Sequence, residues 1–193
     1  MSKLGIVKVR GDKEVNSYVV SCTATGEAVV VDPVEPAAKL LEQLSGLKVI
    51  WVVATHGHPG HVAGKDALKQ ATGATTGLHM ADAKMFLRSA DRYLVDGDEL
   101  RFGNFVLKVL HTPGHTPGSL CFLVANHLFT GDTLLAGGIG RERPGTDLRQ
   151  QIKSIDARLS GLPQRTAIYP GHGPVTNLET ERRTSPVFQS MRR

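Results

Sequence analysis

Three histidines fall within six residues in the stretch Thr55-His56-Gly57-His58-Pro59-Gly60-His61. A segment this rich in imidazole and this poor in apolar side chains does not pack as ordinary core. Neutral imidazole is the commonest protein metal ligand and suits zinc, iron, copper and nickel. Gly57 and Gly60 let the backbone turn sharply, so that His56 and His58 can face one point. The preceding run, Val49-Ile50-Trp51-Val52-Val53-Ala54, is continuously apolar and rich in β-branched residues, which predicts a buried strand. Ligands carried at the end of a buried strand are held rigidly, as a reacting centre requires.

Ligand-type residues recur downstream in the same context. A predicted strand followed by a glycine-containing turn bearing His or Asp occurs four times, at His56/His58/His61, at His115, at Asp132 and at His172. Residues this far apart meet only through the fold, which is how catalytic metal sites are assembled; structural zinc sites favour short cysteine-rich clusters. Cys22 and Cys121 are far apart and each lies among strand-like apolar residues, so both are read as buried thiols.

Between these turns the pattern alternates strands and helices. Lys3 to Val9, Val15 to Cys22 and Glu27 to Asp32 read as an N-terminal β-meander. Helices are predicted over 35–47, 62–72, 81–90 and 147–159, with a further one beginning at Asn177. Strands are predicted over 75–79, 102–110, 119–125, 127–130 and 166–169. No repeat or linker divides the 193 residues, so one domain over 1–193 is expected.

The formal charge of +5 raises the question of nucleic acid. The excess is scattered, densest at Arg182-Arg183 and Arg192-Arg193, and aromatic residues make up only 5% of the chain, so a stacking surface for bases is not expected. A basic surface that attracts small anions fits the same numbers. No apolar run approaches membrane-spanning length, and the lysine-interrupted N-terminus does not read as a signal peptide. The expectation is a cytoplasmic protein with a small, anionic substrate and neither nucleic acid nor membrane as partner.

The motifs together resemble a known family. Thr-His-x-His-x-x-His at 55–61, Thr-Pro-Gly-His-Thr-Pro-Gly at 112–118, Thr-Gly-Asp-Thr-Leu at 130–134 and Tyr-Pro-Gly-His-Gly at 169–173 are similar, in order and spacing, to the metallo-β-lactamase superfamily. Asn16-Ser17-Tyr18-Val19-Val20, Gly137-Gly138-Ile139-Gly140-Arg141 and Glu181-Arg182-Arg183-Thr184 look like its glyoxalase II (hydroxyacylglutathione hydrolase-like) branch. The resemblance implies an α/β fold of four layers, an αββα sandwich with the metal site at one edge. It implies a first metal on His56, His58 and His115, and a second on His61, His172 and an aspartate of the first motif. Asp132 would bridge the two, and Asp132 and His172 take the catalytic positions. This sequence departs from that pattern at Gly60, where the family carries the aspartate.

The resemblance thus leads to the expectation of a metal-dependent hydrolase. Its cofactor is one or two divalent ions, zinc first and iron or manganese as alternatives, with the second site weakened by Gly60. Metal-bound hydroxide attacking a thioester of the acylglutathione type, or a related ester, is the leading reaction. Two alternatives stand beside it. One is a mononuclear iron oxygenase resembling persulfide dioxygenases, with His56, His115 and Asp132 as a two-His-one-carboxylate set. The other is a regulatory protein that has lost its chemistry. Asp32 is read as orienting a ligand histidine or capping a turn, and Arg141 and Arg143 as contacts for an anionic substrate or ordinary surface.

Overall fold

The β-branched runs form the strands of two six-stranded sheets in the computed structural model, which describes residues 2–140 and 146–191. The first sheet holds β1 (Leu4–Arg10), β2 (Asn16–Cys22), β3 (Glu27–Val31), β4 (Lys48–Val53), β5 (Thr75–His79) and β6 (Arg92–Leu94), in that spatial order. Its first three strands are antiparallel, and the pairs from β3 to β6 are parallel. Parallel neighbours need crossovers. These are α1 (Ala37–Gln43), then α2 (Pro59–Val62) with α3 (Lys65–Thr72), then α4 (Met80–Met85).

The second sheet contains β7 (Glu99–Phe102), β8 (Phe105–His111), β9 (Leu120–Val124), β10 (His127–Gly131), β11 (Ala167–Pro170) and β12 (Thr176–Asn177). Only the β10–β11 pair is parallel, and its crossover carries α5 (Leu148–Leu159). The chain ends in α6 (Leu178–Thr184) and α7 (Pro186–Ser190).

Alternation along the strands sorts side chains into layers. Tyr18, Val20, Val29, Val31 and Val53 meet Phe102, Leu107, Phe122 and Phe129 between the sheets. Val19, Val30 and Val52 point the other way, onto Leu40 of α1 and Leu68 of α3. On the far side, Cys121, Leu128 and Ile168 pack against Ile155 and Leu159 of α5 and Phe188 of α7. Each such large side chain contributes about 1.5–3 kcal/mol on burial. The result is the four-layer αββα sandwich. No helix is long and apolar enough to cross a membrane among the described residues.

The predicted elements are found, with three corrections. The helix read over 62–72 is two helices broken at Gly64, whose α-carbon packs so tightly that an added Cβ would sit 2.4 Å from the Val34 carbonyl oxygen. The helix read over 81–90 stops at Met85, and Leu87 then takes a left-handed φ of 52°. The helix read over 35–47 is shorter, Ala37–Gln43, and within it Leu40 is fully buried while Leu41 is 37% exposed. Both cysteines are free and buried, and burial pushes the Cys121 thiol up to about 12.

Candidate metal centre

Four loops from the ends of β4, β8, β10 and β11 converge at one edge of the sandwich. They bring His56, His58, His61, His115, Asp132 and His172 together. Ligand-type atoms of His56, His58 and His115 lie within 4.8 Å of one another, and so do those of His56, His61 and Asp132. Asp132 lies at the centre. Its Oδ2 is 3.5 Å from His115 Nε2 and 3.5 Å from His172 Nε2, and its Oδ1 is 3.8 Å from His61 Nε2. His58 Nδ1 and His115 Nε2 are 3.1 Å apart. All are buried except His58 and His172, which are partly accessible.

Asp32, at the end of β3, sets the proton positions. Its Oδ1 accepts from the Thr55 amide at 2.7 Å, and both its oxygens lie 2.9 Å from the Thr55 hydroxyl. The single hydroxyl proton is therefore committed to Asp32. The 3.0 Å contact between Thr55 Oγ1 and His56 Nδ1 then has the imidazole as donor. His56 is left with an Nε2 lone pair that is buried and meets no hydrogen-bond partner. Burial above all, and then the neighbouring His61, His115, His58 and His172, hold the His56 pKa well below its ordinary value, so the ring is neutral. Asp32 Oδ2 also lies 3.0 Å from His61 Nδ1, which turns His61 Nε2 toward Asp132. Asp132 Oδ1 is likewise buried without a hydrogen-bond partner. A neutral nitrogen and a carboxylate oxygen left unpaired in the same buried cluster fit a cation and would be costly without one.

Three buried residues that sequence reasoning missed hold these loops, two by their side chains and one by its backbone. Asp82 of α4 accepts from the Gly57 amide at 2.7 Å, the Gly118 amide at 2.7 Å and the Thr116 hydroxyl at 2.8 Å, so it clamps the His56–His58 loop to the His115 loop. Gly118 is required there, because a Cβ would fall 2.5 Å from Asp82 Oδ1. Gln151 of α5 donates to the carbonyls of Asp132 and Thr133 at 3.1 and 3.0 Å. Val15, just before β2, pairs its backbone with His172. No spacing rule marks Asp82 or Gln151, since each sits inside a predicted helix. Val15 reads only as the start of a strand.

The stretches that resembled the branch also find their roles. Asn16 Nδ2 donates to the carbonyls of Pro170 and Gly173 at 2.9 and 3.0 Å, and the Tyr18 hydroxyl to Pro170 at 2.7 Å, so β2 holds the His172 turn. Gly140 packs where a Cβ would meet Asp132 and His115 Nδ1 at 2.6 and 2.9 Å. Glu181 accepts from the Gly137 amide at 2.9 Å and fixes that loop from α6.

Gly60 lies in α2, outside the left-handed region, and contributes no carboxylate. Its missing Cβ would stand 2.9 Å from Val15 Cγ2. Asp66 does not substitute, because its side chain is 84% exposed and pairs with Lys65 at 2.6 Å. Val15, Pro59, His58, His61, Asp132 and His172 line an open cleft of about 180 Å³ beside the cluster. Outside it, His79 and His111 stack at 4.3 Å and His127 contacts the Tyr169 hydroxyl at 2.9 Å. Arg141 and Arg143 lie outside the described residues.

A two-sheet sandwich with buried His and Asp ligands converging at its edge is the architecture of a metal-dependent enzyme of the hydrolase or oxygenase type. The model of the metallo-beta-lactamase superfamily matches residues 10–172, and the chain belongs to that superfamily, in its glyoxalase II/ETHE1-like branch. It is 36% identical over 185 residues to human mitochondrial persulfide dioxygenase ETHE1, covering 88% of this chain and 70% of that protein. It is 36% identical over 167 residues to hydroxyacylglutathione hydrolase of Nitrosococcus oceani, covering 83% of this chain but only 63% of the relative's length. Among solved structures, ETHE1 from Myxococcus xanthus superposes with a TM-score of 0.88 at 32% identity, covering 96% of this chain and 85% of the other.

Proposed function

We propose that this chain is a mononuclear iron enzyme of the persulfide-dioxygenase type, with His56, His115 and Asp132 holding the ion. The observation that carries this reading is Gly60. Without its carboxylate, and with Val15 Cγ2 against the vacant Cβ direction, the second metal position keeps only His61, His172 and a share of Asp132. The first position retains two imidazoles and a carboxylate, the set that suits ferrous iron with open positions for oxygen chemistry. The similarity to persulfide dioxygenases over most of the chain supports the same choice. When bound, such an ion supplies activation of dioxygen toward a sulfur substrate.

The chain's own residues account for the rest. Asp32 and Thr55 fix the His56 tautomer so that Nε2 presents a lone pair. Asp82 sets the distance between the His56 and His115 loops. Phe86, whose ring centroid is 5.0 Å from that of His58, walls the His58 side with an apolar face. His58 and His172, the two partly accessible histidines of the cluster, border the cleft by which a small substrate enters.

A second reading, a zinc thioester hydrolase, is favoured by the 3.1 Å approach of His58 to His115, which offers a third imidazole in place of the carboxylate set. Metal analysis with oxygen consumption separates the two. Protein loaded anaerobically with ferrous iron is expected to bind one ion per chain and to take up oxygen with a thiol persulfide. Zinc-dependent turnover of acyl thioesters with no oxygen uptake would replace the first reading by the second.

A further inference from the structure

On β1 the residues that face the second sheet change character along the strand. Leu4 and Ile6 pack against the cluster between the sheets, whereas Val9, on the alternate face, belongs to the outer cluster under α1. Lys8 and Arg10 continue the inward stripe of Leu4 and Ile6 as far as the metal-site edge. Their register partners are Tyr18 and Asn16, the two side chains that hold the His172 turn. The stripe thus turns from aliphatic to cationic at the edge that carries the His/Asp cluster, and leaves two exposed cations beside it.

The two cations border a recess of about 300 Å³ with Asn16, Gly173 and Pro174. Val15 and His172, the chain neighbours of Asn16 and Gly173, line the metal-site cleft, so the two hollows adjoin. Lys8 Nζ donates to the Gly173 carbonyl at 2.8 Å, which fixes the ammonium on the lip, and no carboxylate pairs with it among the described residues. Arg10 pairs at 2.8 Å with Glu14, but both side chains are exposed, so that pair is weak and readily exchanged. Burial and the nearby Arg10 both lower the Lys8 pKa, and Glu14 is the carboxylate that an incoming oxyanion would displace from Arg10.

We propose that this recess binds the oxyanion group, carboxylate or phosphate, of the molecule whose reacting atom sits at the His/Asp cluster. Which atom reacts rests on the function proposed above, whereas binding of an oxyanion at Lys8 and Arg10 does not. Two arms keep them apart.

In the first, inorganic phosphate is titrated into zinc-loaded protein and followed by amide NMR. Saturable shifts are expected at Lys8, Arg10, Asn16 and Gly173, weakened about tenfold in affinity by Lys8→Gln/Arg10→Gln, since charge-assisted hydrogen bonds are being removed. Arg101→Gln/Lys108→Gln, which removes the same two positive charges from the exposed faces of β7 and β8, is expected to leave them unchanged. Shifts confined to the His56 and His115 loops, or absence of saturation, would overturn the proposal.

In the second, turnover of an anionic and a neutral substrate is compared. The double variant is expected to lower the anionic-to-neutral ratio of kcat/KM about tenfold. Phosphate competing only with the anionic substrate assigns the group to the substrate. An equal effect of phosphate on both substrates assigns the recess to a free effector anion, and the substrate part of the proposal falls.

Discussion

Asp32 Oδ2 stands 3.0 Å from His61 Nδ1, while the same carboxylate holds the Thr55 hydroxyl that meets His56. One buried acid therefore fixes two imidazoles, His56 of both candidate clusters and His61 of one. Asp32→Asn should preserve the backbone, because Asn tolerates the left-handed φ of 55° found there. It should weaken metal binding about 10–100-fold, measured by competition with a chelator. Unchanged affinity would mean that the His56 and His61 orientations do not depend on Asp32.

His56 belongs to both ligand clusters, and His58 to one. His56→Ala is expected to abolish stoichiometric metal binding. His58→Ala is expected to retain one iron per chain, because His115 and Asp132 remain with His56. Loss of metal from the His58 variant, read by elemental analysis, would favour the three-imidazole site.

Gly60→Asp tests the departure from the two-metal pattern. The new Cβ meets Val15 Cγ2 at 2.9 Å, so the single variant should lose about 1–3 kcal/mol of stability by overpacking. Gly60→Asp/Val15→Ala makes room for the carboxylate and should raise zinc content toward two per chain. If the double variant is folded yet still holds a single ion, Gly60 is not what limits the second site.

Acid should destabilise the metal-free protein through His56. Its folded pKa lies well below the ordinary 6.5, so below about pH 6.5 the unfolded chain takes up a proton that the folded one refuses. This contribution is fully present above that pH and is lost as pH falls, at about 1.4 kcal/mol per pH unit for this one site. Urea unfolding at two pH values checks it. In the His56→Ala variant the slope should be smaller.

Asp82→Ala leaves the Gly57 and Gly118 amides and the Thr116 hydroxyl without their acceptor, so it should cost about 2–5 kcal/mol. Metal affinity should fall further than in an equally destabilised core variant such as Leu159→Ala, which lies away from the loops.

The residues of the His/Asp cluster were legible because metal chemistry restricts the side chains that can supply it. Three histidines in six residues, and a His or Asp after each glycine-marked strand end, leave few other readings. The longer strands were legible from β-branched runs, whereas the four layers were implied by the family resemblance. The short strands β6 and β12, and β7 before Phe102, were not, because runs of two to four residues carry too little periodicity. Asp82 was hidden for another reason. A carboxylate that accepts from amides distant in sequence looks like any polar helix residue until the fold brings those amides to it.

Each sheet is made from one continuous half of the chain, residues 4–94 and 99–177, joined by the turn at Val95–Asp98. His56, His58 and His61 lie in the first half, and His115, Asp132 and His172 in the second. The halves meet at the site through the Leu120 amide on the Thr55 carbonyl at 2.7 Å and through Asp82. An ion held by His56, His115 and Asp132, as proposed, would be a removable crosslink across the seam of the molecule. Such a link adds stability in proportion to the logarithm of the free ion concentration over its dissociation constant. Scarcity of metal would then loosen the grip of one half on the other before either sheet unravels.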